Sequence, residues 1–267
     1  MRSRPPQVTL VQRGGRVSLW GKEFFPGHMA DALGRIGQLM ATPGRHLVIT
    51  PNVDLILLLK GNPAWRTAFH RGEMFLVDGM PVVALARLIG GQNLNRLTGA
   101  DLLPAAAAAA PERGWRLAIV GGSDTARDRA IENLRQAHPG LEVQGFAVPM
   151  LQDPGDQICR PTVADLAAWA PNLVFLCLGG PKQELWFLAW EPDLPDAVYV
   201  GAGAAVDFVA GAVARAPLWM QRSGLEWLWR LSREPRRLAY RYLVRGPRFL
   251  GVAARSLARH LLHRDGN

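Results

Sequence analysis

Apolar and polar positions over residues 46–210 repeat one arrangement: a short apolar run, a turn rich in Gly, Asp, Pro or Asn, then a stretch with helical spacing. That is the rhythm of βα units, whose strands lie in a parallel sheet covered on both faces and so read as continuous apolar runs. It predicts strands at 46–50, 74–77, 116–120, 141–146, 173–178 and 197–200. Helices are expected at 53–60, 81–88, 101–110, 125–138, 162–169 and 183–188. The alanine run 105–110 fits a packed helix, since alanine is the best helix former and Asp101 lies near the helix start. Before residue 44 the pattern yields only a weak strand at 16–19 and a helix near 29–40.

After Gly211 the pattern changes. Trp219, Trp227 and Trp229 mix with arginines, and Leu225, Leu228, Leu231, Leu238, Tyr242, Phe249, Val252, Leu257 and Leu261 recur at roughly helical intervals. The expected architecture is α/β: a Rossmann-like core over 1–211, its mainly parallel sheet flanked by helices, followed by an arginine-rich, amphipathic helical appendage over 212–267.

Composition narrows the class. A chain of 267 residues that is 49% hydrophobic and 20% charged buries a substantial core, which excludes disorder, a collagen-like chain and a disulfide scaffold. Cys159 and Cys177 are the only cysteines and show no metal-ligand spacing, so a reducing compartment without structural zinc is expected. The opening MRSRPPQVTL has arginines without a following apolar stretch of about 7 to 15 residues, and no window reaches about 18 apolar residues. A cytosolic protein, neither secreted nor membrane-spanning, is expected.

The formal charge of +9 is carried almost wholly by arginine, since lysine occurs only at Lys22, Lys60 and Lys182 beside 28 arginines. Eleven arginines fall within 222–264 against two acids, Glu226 and Glu234. Such a segment faces a polyanion or a solvated surface, and the neighbouring Trp and Tyr side chains tilt it towards an anionic lipid surface.

Candidate chemistry gathers at strand ends. Glycines join strands to helices at Gly121-Gly122, Gly179-Gly180 and Gly201-Ala202-Gly203, where helix N–H groups can receive phosphate. A nucleotide or sugar phosphate fits, but the third glycine of a dinucleotide fingerprint and any P-loop are missing. Asp78 follows one strand and Thr50 and Asn52 follow another; if those strands are neighbours, the three side chains share a rim, and a carboxylate there could accept a hydroxyl proton. An Asp-Gly turn and an Asn helix cap are the structural alternatives. No DxD, HExxH, EF-hand or GxSxG pattern occurs, so no obligatory metal and no nucleophilic triad is expected.

These residues carry a resemblance. The chain resembles the WecG/TagA/CpsF bacterial glycosyltransferases, glycosyltransferase family 26, through Thr50-Pro51-Asn52, Val77-Asp78-Gly79, Arg96-Leu97-Thr98-Gly99-Ala100-Asp101 and Leu178-Gly179-Gly180-Pro181-Lys182-Gln183-Glu184. It continues through Gly203-Ala204-Ala205-Val206-Asp207-Phe208-Val209-Ala210-Gly211, Arg215-Ala216-Pro217, Gly224-Leu225-Glu226-Trp227, Glu234-Pro235-Arg236-Arg237 and Arg241-Tyr242. The resemblance implies an inverting, metal-independent transfer from a UDP-sugar (N-acetylmannosamine, N-acetylmannosaminuronate or glucose) to a polyprenyl-pyrophosphate-linked saccharide in cell-surface polysaccharide synthesis. It implies a peripheral protein on the inner face of the cell membrane, docked there by an appendage that also helps close the active site.

Carried over by position, the resemblance makes Asp78 the general base and sets Thr50 beside it in the catalytic centre. With Thr50, Asn52 would orient the acceptor or the sugar; Gln183 becomes a donor or active-site contact, Asp207 a nucleotide contact, and Arg222, Arg230 and Arg237 the cations facing the diphosphate. No cofactor, no metal and no nucleic acid is implied, and a homo-oligomer stays open. Two other classes compete. A nucleotide-sugar epimerase or dehydrogenase would need the missing glycine fingerprint, and a non-catalytic membrane or nucleic-acid binder using the arginine tail would leave Thr50, Asp78 and Gln183 idle.

Overall fold

The computed structural model describes residues 7–264, with the side chains of Arg222, Arg237, His263 and Arg264 outside the described set. The roles expected of Arg222 and Arg237 therefore fall outside the described residues. The chain begins with β1 (Leu10–Arg13), β2 (Arg16–Leu19) and β3 (Lys22–Glu23), an antiparallel sheet in that order. Then come α1 (Met29–Met40), β4 (Arg45–Ile49), α2 (Val53–Leu58), α3 (Pro63–Arg71), β5 (Met74–Phe75), α4 (Met80–Leu88) and α5 (Gly99–Arg113). The core continues as β6 (Arg116–Gly121), α6 (Asp124–Ala137), β7 (Glu142–Phe146), α7 (Arg160–Trp169), β8 (Leu173–Cys177), α8 (Lys182–Trp190), β9 (Ala197–Gly201) and α9 (Ala205–Val209).

The six strands β4 to β9 form one sheet, ordered β5-β4-β9-β8-β6-β7, and every pairing in it is parallel. Because side chains alternate along a strand, each strand feeds two cores. Leu47, Ile49, Val174, Leu176 and Tyr199 point to the layer that holds α2, α3, α4 and α8, while Val48, Leu173, Phe175, Val198 and Val200 point to the layer of α1, α5, α6 and α9. This is why β8 and β9 are buried at every position and carry no alternation. Polar caps start the helices where the sequence breaks from strand. Asn52, Asn62, Thr98 and Ser123 accept N–H bonds from Leu55, Trp65, Asp101 and Ala126.

The appendage comprises α10 (Leu218–Ser223), α11 (Glu226–Arg233), α12 (Pro235–Ala239), a π-helical turn Tyr240–Arg245, a 3-10 turn Gly246–Arg248, and α13 (Phe249–Arg264). It folds back over the carboxyl ends of the parallel strands. Arg245 donates to Asp54 Oδ1 at 2.8 Å and Arg241 lies 3.5 Å from Oδ2 of the same residue, tying the π-helical turn to α2. At its far end α13 packs on β1, where the buried Leu10 N–H donates to Ser256 Oγ at 2.8 Å across 246 positions.

Several elements depart from the sequence reading. The strand expected at 74–77 is only Met74–Phe75; the Leu76 N–H still reaches Ile49 O at 2.9 Å, and the chain then turns through Asp78-Gly79 into α4. Helix α3 was not expected; it starts on an Asn62-Pro63 cap and buries Trp65, Ala68 and Phe69. The amino-terminal sheet is larger than the weak strand at 16–19, since β1 and β3 also belong to it.

Candidate functional site

The connection order reverses between β4 and β9: the chain leaves β4 for the β5 edge and returns to build the other half of the sheet. Such a reversal leaves a crevice at the strand carboxyl ends. Here it opens into a cleft of about 540 Å³ whose floor comes from the ends of β4, β5, β8 and β9 and whose far wall comes from the appendage. Thr50, Asn52, Asp78, Gly179, Gly180, Gln183 and Gly203 belong to the floor, and Arg215, Glu226, Trp227, Arg230, Arg241 and Tyr242 to the wall. The Gly121-Gly122 turn, the third strand-to-helix glycine pair in the sequence, does not line it.

Asp78 sits directly after β5, its backbone N–H bonded to Pro51 O at 3.2 Å, which fixes it beside the end of β4. Its carboxylate is half-buried, opens onto the cleft and makes no hydrogen bond or ion pair among the described residues. Burial pushes its pKa above the usual carboxylate range; Arg96, Arg241 and Arg230 pull in the other direction, and Glu226 adds to the rise. A carboxylate with free lone pairs and a raised pKa is equipped to take a proton.

Thr50 is buried, and its hydroxyl donates to Gly201 O at 2.7 Å, tying β4 to β9 and leaving only acceptor lone pairs. Asn52 Oδ1 is committed to capping α2 through Leu55 N at 3.1 Å, so the cap expected from an Asn at a helix entry is present and the amide nitrogen is the part left over. Gln183, only 2% exposed, accepts from Gly203 N at 3.0 Å and donates from Nε2 to Glu184 Oε1 at 2.8 Å. Asp207 lies on α9 outside the cleft lining, although its neighbour Phe208 lines it.

The cations are more numerous than the sequence suggested. Arg230 lines the cleft near Glu234, with Nη2 to Oε1 at 3.8 Å. Arg96 and Arg215 form a square with Asp101 and Glu226: Arg96 bonds Glu226 at 2.9 Å and lies 3.5 Å from Asp101, while Arg215 bonds Asp101 and lies 3.9 Å from Glu226. Burial alone would raise Asp101, but the Arg215 bond and charge, the Thr98 hydroxyl and Arg96 hold its carboxyl below the usual range. Glu226 thus pairs across the cleft rather than only along its own helix. Among the described residues, Arg215 Nε and Nη2, Arg230 Nε and Arg241 Nε are buried with no hydrogen-bond partner, so donor capacity there exceeds the described acceptors.

Helix starts supply further positive potential. The amino termini of α4, α5 and α8 meet the cleft at Gly79, Thr98 to Ala100 and Gly180. Gly99 is there for space, since a Cβ on it would lie 2.5 Å from Ala202 Cα and 3.0 Å from Gly201 O. Among the described residues no group of three or more His, Cys, Asp or Glu side chains could hold a metal ion, and no helix is long and apolar enough to cross a membrane.

Comparison with known proteins gives a concordant picture. Residues 17–262 match the family described as glycosyl transferase WecG/TagA/CpsF. An N-acetylglucosaminyldiphosphoundecaprenol N-acetyl-beta-D-mannosaminyltransferase of Bacillus spizizenii is 30% identical over 204 residues, 76% of each chain. A protein of the same description from Bacillus subtilis is 31% identical over 164 residues, 61% of this chain and 62% of its own.

Proposed function

The chain belongs to the WecG/TagA/CpsF family of glycosyltransferases, and on that premise we propose that it transfers N-acetylmannosamine from UDP to a polyprenyl-pyrophosphate-linked saccharide, inverting the anomeric centre without a metal. The two Bacillus relatives support the sugar and the acceptor, since their descriptions name a mannosaminyl donor group and a diphosphoundecaprenol-linked N-acetylglucosamine. The observation that carries the reading is Asp78, an unpartnered, half-buried carboxylate on the same cleft as an arginine wall.

In this mechanism Asp78 removes the proton of the acceptor hydroxyl as its oxygen attacks C1 of the donor sugar. The new C1–O bond forms while the bond from C1 to the diphosphate oxygen breaks, and UDP leaves from the opposite face. The β linkage in the relatives' descriptions agrees with inversion of an α-linked donor. Thr50 holds the β4 and β9 ends in register, and Asn52 and Gln183 border the sugar. Negative charge growing on the diphosphate is stabilised by Arg96, Arg215, Arg230 and Arg241 and by the starts of α4, α5 and α8. Arginine suits the task because its fork of donors can hold a carboxylate on one edge and a phosphate oxygen on another.

The segment 212–267 then serves twice, as one wall of the cleft and as the docking surface for an anionic membrane on its cytoplasmic face. Leu218, Trp219, Leu243 and Leu250 are all more than half exposed on it, among arginines. A purely membrane-binding role would leave Asp78 and Gln183 without purpose. The deciding experiment offers UDP-N-acetylmannosamine, its uronate and UDP-glucose to a synthetic lipid-pyrophosphate N-acetylglucosamine, with wild type beside Asp78→Asn. Transfer of N-acetylmannosamine that disappears in the variant is expected; comparable transfer by the variant would remove Asp78 as the base.

A further inference from the structure

Beneath the cleft floor lies a carboxyl group that the reaction does not touch. Glu184, at the start of α8, is 0% exposed; Oε1 accepts the Gln183 amide and Oε2 is buried without a partner among the described residues. An unsatisfied buried polar atom costs stability, and an apolar side chain there would avoid that cost. Its neighbours explain what the carboxyl is for.

The orientation of the Gln183 amide follows from chemistry. A backbone N–H can only donate, so the end of Gln183 facing Gly203 N at 3.0 Å must be Oε1, and the other end must be the NH₂ group. That group needs an acceptor, and Glu184 Oε1 supplies it at 2.8 Å. Gly201 is the point where the two side chains press against the end of β9: a Cβ there would lie 2.5 Å from Gln183 Nε2 and 2.7 Å from Glu184 Oε1. From the end of the neighbouring strand β4, Thr50 Oγ1 holds Gly201 O at 2.7 Å. The turn from Gly201 to Ala204 is therefore gripped from two directions, and Ala202, Gly203 and Ala204 all face the cleft.

We propose that Glu184 is a positioning residue: by accepting the Gln183 amide it fixes which end of that amide meets Gly203, and so sets the β9–α9 turn against which the donor rests. The assignment rests on the glycosyltransferase reading of the cleft. A neutral carboxyl serves as well as a charged one, because the bond needs only its carbonyl-type oxygen. Burial agrees with that state, pushing Glu184 up to about 7. The unpartnered Oε2 is then the cost of using a carboxyl where the fold itself has no need of one.

The test is a double-mutant cycle on Gln183 and Glu184, read as kcat/KM with UDP-N-acetylmannosamine together with thermal denaturation. Glu184→Gln keeps the acceptor and should stay within about threefold of wild type. Glu184→Met removes the acceptor and should lower kcat/KM about 10- to 100-fold, the scale expected for a misplacement of about 1 Å in a reacting complex, while Tm holds or rises. If Glu184→Met does not fold, Glu184→Ala, which cannot overpack, takes its place in the cycle. Gln183→Ala should lose activity to a similar extent, and adding the Glu184 substitution should cost nothing more. Wild-type kcat/KM in the Glu184 variant, or losses that multiply in the double variant, would overturn the positioning role. Wild-type transfer by Gln183→Ala would instead overturn the reading of the cleft floor.

Discussion

Replacing Gly99 with alanine isolates the geometry of the cleft from its chemistry. The added Cβ would sit 2.5 Å from Ala202 Cα, 3.0 Å from Gly201 O and 3.1 Å from Ala202 C, all backbone atoms that no rotamer change can clear. Non-bonded carbons prefer about 3.5–4.0 Å, so the start of α5 and the end of β9 must separate by roughly 1 Å. Overpacking of this kind costs about 1–3 kcal/mol, which in a chain of this size lowers Tm by roughly 2 to 12 °C. The effect on turnover should be larger, because the segment that moves bears Thr98 and Ala100 on one side and Ala202 to Ala204 on the other, all on the cleft. A displacement of about 1 Å corresponds to about a 100-fold loss of kcat/KM. Steady-state transfer and a denaturation scan measure both. Gly34→Ala is the control: it lies exposed on α1 with nothing within 4 Å of the added atom, and should gain about 0.5–1 kcal/mol at unchanged activity. A Gly99→Ala enzyme with wild-type Tm and turnover would refute the close approach.

Further outcomes follow from the charged groups. Asp78→Asn should abolish transfer while UDP binding, measured calorimetrically, stays near that of wild type. Because burial raises Asp78 and a base must be ionised, the acid limb of the kcat/KM profile should lie above the usual carboxylate pKa of about 3.9, and a limb at or below it would contradict the burial. Glu184 is raised in the same direction, and here the shift bears on folding: its pKa of about 7 in the folded protein exceeds the reference 4.5, so the stability linked to its buried proton is fully present below the reference value and is lost as pH rises through about 7. Wild type should accordingly lose Tm relative to Glu184→Gln across that window, and parallel curves would argue against a buried proton. Arg96→Ala should weaken UDP binding about tenfold or more, since it removes a cleft cation and strands Glu226 there, whereas unchanged affinity would take Arg96 out of the anion wall. A chelator should leave the rate unaltered, and inhibition reversed by Mg²⁺ would refute the metal-free mechanism.

The strand–helix rhythm of the core was legible because each βα unit is a local pattern, and the floor of the cleft was legible for the same reason. Thr50, Asp78 and Gln183 each follow a strand signal closely, and parallel neighbours bring their ends together. The wall was harder to read. Arg96 meets Glu226 across 130 positions, Arg215 meets Asp101 across 114, and Arg245 meets Asp54 across 191, so no window of sequence contains both partners. Charge density marked out the segment that walls the cleft without separating Arg215 and Arg241 from the other arginines. Asp207 shows the converse limit, since a helix only five residues long places Phe208 on the cleft and leaves Asp207 off it. The amino-terminal sheet was faint because its strands are short and α13, which covers β1, comes last among the described elements.

That pairing has a consequence during synthesis. The Leu10 N–H emerges early and waits for Ser256, 246 positions later, which at about 5–20 residues per second is roughly 12 to 50 s of translation. The fold behind the cleft can assemble in that interval, but its arginine wall arrives only at the end. A nascent chain would therefore hold Asp78 and Arg96 at an open strand end, and the far side of the cleft would be the last part of the protein to form.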